Sequence, residues 1–174
     1  MLDSSRGTEL WERILEAGAP HDLRPAGPSD IRRIEGGILN GGADIALDTN
    51  VYEVGLDRLG DEGKPGDYIG RDALRRIKAA GLRRTLAGIE IAGDPIAFNE
   101  TKWPVAAGGR TVGHVTSAIH TPRLKKNIGY AMLPVEHAAL GTRFTVAVPE
   151  AGDRAATGRP RPFVGPQEAI PKAR

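Results

Sequence analysis

Any chemistry in this chain would start from the arginine, acidic and tyrosine side chains gathered between residues 30 and 53. Arg33 lies in Asp30-Ile31-Arg32-Arg33-Ile34-Glu35. Its planar guanidinium can hold a carboxylate through two parallel hydrogen bonds. The same cation could instead sit on a helix surface, or pair internally with Asp30 or Glu35. Glu35 is two positions on and faces another side of a helix, which gives it a structural role. Tyr52 and Glu53 follow in Asn50-Val51-Tyr52-Glu53-Val54-Gly55. As neighbours on a strand they point to opposite faces, so one packs in the core and only one could line a cavity.

Other chemistries lack their pattern. His21, His114, His120 and His137 show no H-x-H, H-E-x-x-H or H-x-x-x-H spacing, so no metal site is expected. The absence of cysteine removes disulfides, thiolate nucleophiles and Cys-type metal sites together, and is compatible with the cytoplasm. Ser117 and His120 would need a G-x-S-x-G elbow to act as nucleophile and base, and there is none. The glycine doublets form neither G-x-G-x-x-G nor a P-loop. Arg123, Lys125 and Lys126 make a basic knot after Pro122, by default a solvated loop.

The elements that must position these groups change character near Gly81. Leu10, Trp11, Ile14 and Leu15 form one apolar stripe of a helix over 9–17, with Thr8 as N-cap and Gly18-Ala19-Pro20 as its end. A second helix runs over 28–36, and a third over 71–80 with Ala73, Leu74 and Ile77 inward. Asp44–Leu47 and Val51–Leu56 are expected as short strands around Asp48-Thr49-Asn50. A Gly/Asp/Pro loop spans Gly60–Asp67. Beyond Leu82, β-branched segments recur between turn signals: Thr85–Ala92, Val105–Ala106, Thr111–Ile119, Asn127–Leu133, Phe144–Val148 and Arg161–Val164. Short strands separated by Gly/Pro turns predict a small antiparallel barrel or sandwich.

The fold class expected is therefore α+β, with residues 1–81 and 82–165 as two modules and 166–174 as a tail. A chain of 174 residues can bury a real core as one domain or two small ones. Residues 1–81 carry eleven Lys/Arg against fifteen Asp/Glu, and 82–174 carry thirteen against seven. The basic half is expected to face the acidic half or a partner. Nucleic acid is set aside, because no Lys/Arg cluster is interleaved with stacking aromatics. No apolar run approaches the roughly 18 residues of a membrane span.

The ordered residues Arg33, Glu35, Gly37, Ile38, Gly41, Gly42 and Asp44 resemble a motif of the glycine-cleavage T-protein (aminomethyltransferase) family, R-x-E-x-G-(apolar)-x-x-Y-G-x-(D/E). Asp67-Tyr68-Ile69-Gly70-Arg71-Asp72-Ala73-Leu74 is similar to a second motif. Gly-Arg-Thr-Val-Gly-His-Val-Thr-Ser-Ala at 109–118 and Thr-Pro-Arg-Leu-Lys-Lys-Asn-Ile-Gly-Tyr-Ala at 121–131 resemble its C-terminal barrel. Within the superfamily the likeness leans to the demethylase branch, typified by dimethylsulfoniopropionate demethylase. It does so through Gly27-Pro28, Asn50–Gly55, Pro162-Phe163-Val164 and Ile170-Pro171-Lys172.

That resemblance implies a partial antiparallel-sheet α+β domain over 1–81, a remnant of the folate-binding region, followed by a Greek-key antiparallel β-barrel over 82–165. It implies a tetrahydrofolate-dependent, cytoplasmic one-carbon transferase, fed by a small methylated or aminomethyl donor. The family's catalytic Asp and the Glu that grips the pterin belong to an N-terminal portion with no counterpart here. No catalytic residue is therefore assigned, and activity is expected only with an N-terminal half encoded separately. Arg33, Tyr52 and Glu53 are the residues expected at the folate cavity. Gly41 stands where many relatives carry a cavity-lining Tyr, which means either a wider pocket or a tight turn Asn40-Gly41-Gly42. The alternative reading is a non-catalytic binding or oligomerisation module derived from the family.

Overall fold

The computed structural model describes residues 3–60 and 66–165, so the expected tail at 166–174 and the middle of the Gly60–Asp67 loop lie outside the described residues. Six strands close a barrel: β1 (Arg84–Ile91), β2 (Trp103–Ala107), β3 (Arg110–Thr121), β4 (Lys126–Pro134), β5 (Arg143–Val148) and β6 (Gly152–Arg159). Their order is β1-β4-β3-β2-β5-β6, with β6 returning to β1 and every pairing antiparallel. β1 lies beside β4 rather than β2, which is Greek-key connectivity. β5 shows why the β-branched segments fold this way: Phe144, Val146 and Val148 alternate inward with half-exposed neighbours.

The last expected strand is displaced. Arg161–Val164 forms bends, and the Phe163 and Val164 amides donate to the Glu35 carbonyl at 3.0 and 3.1 Å. The sixth strand is instead Gly-Asp-Arg-Ala-Ala-Thr-Gly-Arg, which has no large β-branched run. It is a strand because closure leaves open hydrogen-bonding edges on β1 and β5 that it satisfies. Its small residues suit crowding there: a Cβ at Gly158 would lie 2.8 Å from the Ala139 carbonyl oxygen.

β4 is buried on both faces and so carries two cores. Inward, Ala131 and Leu133 join Ile89, Val105, Val115 and Val146 in the barrel interior. Outward, Ile128, Tyr130 and Met132 pack with Leu86 against Ile34 and Val54 from the N-terminal region. Tyr130 donates its hydroxyl to the Ile34 carbonyl at 2.8 Å, and burial raises its pKa. At one barrel end, Asn127 holds the segment after β1, donating to the Ile91, Gly93 and Asp94 carbonyls and accepting from the Ile96 amide.

Before β1, the described residues form helices and turns in place of the expected antiparallel sheet. α1 spans Gly7–Gly18 and starts one residue before the expected Thr8 cap. α2 is shorter than expected, Asp30–Glu35, with Ser29 rather than Pro28 at its start, and Gly36-Gly37 ends it. α3 is Arg71–Ala80 with Gly81 as its cap; Leu74 and Ile77 are half-buried but Ala73 is exposed. Asp44–Leu47 and Val51–Leu56 are turns, not strands, touched only by an isolated Gly41–Ile45 bridge. The reason is local. The Asn50 side chain accepts from the Tyr52 and Glu53 amides, which winds the chain where alternation suggested extension. No described helix is long and apolar enough to cross a membrane.

His114, half-buried on β3, lies below its ordinary pKa of 6.5, chiefly through burial and then through repulsion from Lys102 and Arg84, with Asp48 opposing. The folded state thus favours the neutral ring, so its contribution to stability is complete above that ordinary value and is lost as pH falls through the lowered one. Urea-unfolding free energies measured from about pH 7 to about pH 5 should fall more steeply for the wild type than for His114→Asn. Parallel slopes would remove His114 from the account.

Candidate functional site

The turn-rich strap over 30–56 meets the barrel at a fully buried carboxylate. Asp44, whose side chain is 0% exposed, accepts four hydrogen bonds. Oδ1 takes the Thr116 and Ser117 hydroxyls at 2.6 and 2.7 Å. Oδ2 takes Arg33 Nη1 and the Asn40 amide, both at 2.9 Å. Two consecutive strand residues ordinarily point to opposite faces, yet here both hydroxyls reach one oxygen. A register shift between Val115 and Ser117 makes this geometry, since a β-bulge re-aims the side chains beside it. Asn99 covers the bulged backbone, accepting from the Ala118 amide and donating to the Thr116 carbonyl.

Arg33 is the second centre of this network. Its guanidinium donates to Asp30 at 2.6 Å, to Asp44 and to Ser117 Oγ at 2.9 Å, and lies 5.6 Å from the Phe98 ring centroid. Three of its five N–H groups are thereby engaged, and the side chain stays 13% exposed. Arg33 lines a groove of about 530 Å³ between Gly27–Arg33 and Ile38–Asn40, together with Asp30. Arg33 is thus both internally paired and at a cavity wall, two alternatives that the sequence treats as exclusive. Its partner Asp44 is visible in the sequence as a motif position. The Thr116-Ser117 contribution is hidden, because a bulge has no period.

The other expected site residues go elsewhere. Glu53 is buried and binds Arg84, accepting from Nε at 3.0 Å and Nη2 at 3.3 Å, while its Oε2 also accepts from the Asn50 amide. Its backbone carbonyl accepts the Leu86 amide and the Thr85 hydroxyl, so Glu53 ties the strap to the start of β1. Tyr52 is buried beside it. The expectation that the two sit on a strand and point to opposite faces fails because they share a turn, and both are buried. Neither lines the Arg33 groove. Glu35 is buried too, accepts from the Thr121 hydroxyl, and has the structural role expected.

The glycines at 41 and 42 separate cleanly. Gly42 has φ 91°, which the turn requires, and its amide donates to the Ile45 carbonyl at 2.8 Å. Gly41 has no such φ, and a Cβ there would meet nothing within 4 Å. The tight turn therefore accounts for Gly42 and leaves Gly41 as open space. Among the described residues, no three His, Cys, Asp or Glu side chains gather as a metal site.

Residues 84–164 match the glycine cleavage T-protein C-terminal barrel domain. The dimethylsulfoniopropionate demethylase of Ruegeria pomeroyi is 36% identical over 147 residues, covering 84% of this chain and 40% of its own length. An aminomethyltransferase from Symbiobacterium thermophilum is 41% identical over 141 residues, covering 80% of this chain and 37% of its own. The crystal structure of aminomethyltransferase T from Bartonella henselae superposes with TM-score 0.78 over 92% of this chain and 44% of that one, at 21% identity, a likeness of fold. The chain spans about two fifths of the length of these curated relatives.

The Arg33–Asp44 pair yields a direct test. Asp44→Asn keeps the shape but removes the charge, leaving a largely buried guanidinium short of a counterion. Breaking one side of a buried pair should cost about 3 kcal/mol in urea unfolding. A loss below about 1 kcal/mol would show that the strap is held by other contacts.

Proposed function

This chain belongs to the glycine cleavage T-protein family as its C-terminal portion, and on that premise we propose that it forms the scaffold and one cavity wall of a tetrahydrofolate-dependent one-carbon transferase. The observation that carries the reading is the placement of Arg33. It is held by Asp30, Asp44 and Ser117 and lines an open groove. Rigid positioning of a cation on strapped backbone is what recognition of a planar carboxylate needs.

Tetrahydrofolate, when bound, accepts the one-carbon unit. The residues of this chain fit it selectively. Arg33 is suited to a folate carboxylate, since two guanidinium N–H groups remain beyond the three it donates inward. Tyr52 and Glu53 fit it less well, since both are buried and Glu53 is tied to Arg84 of β1. Gly41 leaves space that a larger side chain would fill. Asp44 cannot act on a ligand, because its four acceptor positions are taken and its side chain is sealed from solvent. This chain therefore orients and shapes, and its own acids are committed to holding the fold. The chemistry falls to a second portion, supplied upstream or as a separate chain, working on a small methylated or aminomethyl donor. A cysteine-free chain of this kind suits the reducing cytoplasm.

The N-terminal helix supports that requirement. No α1 residue is buried, and Leu10, Trp11 and Ile14 on its apolar stripe are 44, 52 and 47% exposed. An isolated helix of this length is marginal in water, so its stripe needs a surface to pack on. The remaining portion of a family member is the surface we assign to it. The same stripe also favours the second reading, a non-catalytic module that pairs with another copy of itself, and light scattering on the chain alone separates the two.

Calorimetry with tetrahydrofolate should give no saturable heat with this chain alone, because it offers one open groove with Arg33 on its wall, and the rest of the folate cavity would come from the other portion. Joining the chain to the N-terminal portion of a homologous aminomethyltransferase should restore saturable binding. Tight binding by the chain alone, or none after joining, would contradict the proposal.

A further inference from the structure

We propose that a second cavity, between Gly36–Leu56 and β1, is a binding site for a small organic carboxylate with an apolar body, gripped by Arg161. The cavity measures about 390 Å³. That lies within the size range of small-molecule pockets, roughly 300–1,000 Å³. Its walls combine Leu39, Leu56, Ala138 and Leu140 with Arg161, a cation without an ion-pair partner among the described residues.

Arg161 is the anomaly that points to a ligand. Its guanidinium donates to the Val54 carbonyl at 3.2 Å and lies 5.6 Å from the Tyr130 ring centroid. No carboxylate lies within ion-pair distance of it among the described residues. The field of Asp44 reaches it, but Asp44 is already held by Arg33, Asn40, Thr116 and Ser117. Burial lowers the Arg161 pKa, the sign of a cation paying for desolvation without a full counterion. The second arginine at the cavity, Arg159, is different, because Glu90 accepts from its Nε at 2.8 Å.

The chain is also shaped to seat this side chain. A Cβ at Gly88 would lie 2.8 Å from Arg161 Cγ, and one at Gly55 would lie 3.3 Å from its Nη2. Both glycines therefore keep clear the path along which Arg161 enters the cavity. An uncompensated guanidinium that is fixed in place selects an anion, and a carboxylate matches its planar fork. The aliphatic walls then favour a hydrocarbon body over a fully hydrated ion. Leu39 stands at both cavities, but Arg161 lines only this one and Arg33 only the other, and the test involves no folate.

The test is a titration of the ¹⁵N-labelled chain with hexanoate, with 1-hexanol and inorganic phosphate as comparison probes. Hexanoate should move the amide signals of Gly37, Gly55 and Gly88 saturably, while Gly27 and Asn40 at the Arg33 groove stay in place. 1-Hexanol should bind about tenfold more weakly for want of the charge-assisted contact. Arg161→Met should weaken hexanoate by about tenfold or more, and Arg161→Lys by less. Without ligand, Arg161→Met should be at least as stable as the wild type, since it removes an unpaired buried charge. If Arg161→Met does not fold, Leu140→Asp serves instead: Leu140 is 68% exposed, so the change is tolerated and the new acid should repel hexanoate. Absence of saturable shifts, indifference to both variants, or phosphate binding as tightly as hexanoate would each overturn the proposal.

Discussion

A carboxylate with no exposure to solvent is tenable only when its charge and lone pairs are met, and Asp44 meets that condition by drawing on three separate parts of the chain. α2 supplies Arg33, the following turn supplies the Asn40 amide, and the bulged β3 supplies Thr116 and Ser117. None of these donors can leave without stranding the charge. The strap over 30–56 is thus anchored to the barrel by a polar lock, and the apolar contacts of Ile34 and Val54 on the outer face of β4 close around it. The Glu53–Arg84 pair repeats the device at the other end of the strap. This explains why the strap keeps its place without a sheet of its own.

The same lock decides what the site can do. Acids that lie close to a cavity are natural candidates for proton transfer or charge stabilisation, but Asp44, Glu35 and Glu53 each serve an internal partner. Arg33 lines one cavity together with the half-exposed Asp30 that it binds, and Arg161 lines the other. The first guanidinium is balanced by two acids and the second by none among the described residues. In the roles proposed above, these two guanidinium groups recognise anions and the reaction chemistry comes from another portion.

Much of this was legible in the residues. Five of the six strands announced themselves by β-branched segments, and α3 by its stripe and terminal glycine. The resemblance pointed to the barrel and to Arg33. What stayed hidden has specific physical causes. β6 is a strand because neighbouring edges demand a partner, not because Gly-Asp-Arg-Ala-Ala-Thr-Gly-Arg favours extension. Val51–Leu56 reads as alternating but is wound by the Asn50 side chain, a one-residue effect that no periodicity reveals. The convergence of Thr116 and Ser117 on one oxygen needs a bulge, which shifts register without leaving a composition signal. Arg161 shows the same limit, since a lone surface-type residue gives no hint that its acid partner is missing.

Native-state hydrogen exchange tests most directly whether the polar lock makes strap and barrel one cooperative unit. The Asn40 amide donates to Asp44, the Phe163 amide donates to Glu35 of α2, and the Leu133 amide belongs to doubly buried β4. If the lock holds, all three exchange only through global opening, with the same free energy as urea unfolding. If Asn40 and Phe163 exchange at a free energy more than about 2 kcal/mol below that of Leu133, the strap opens by itself and the account fails.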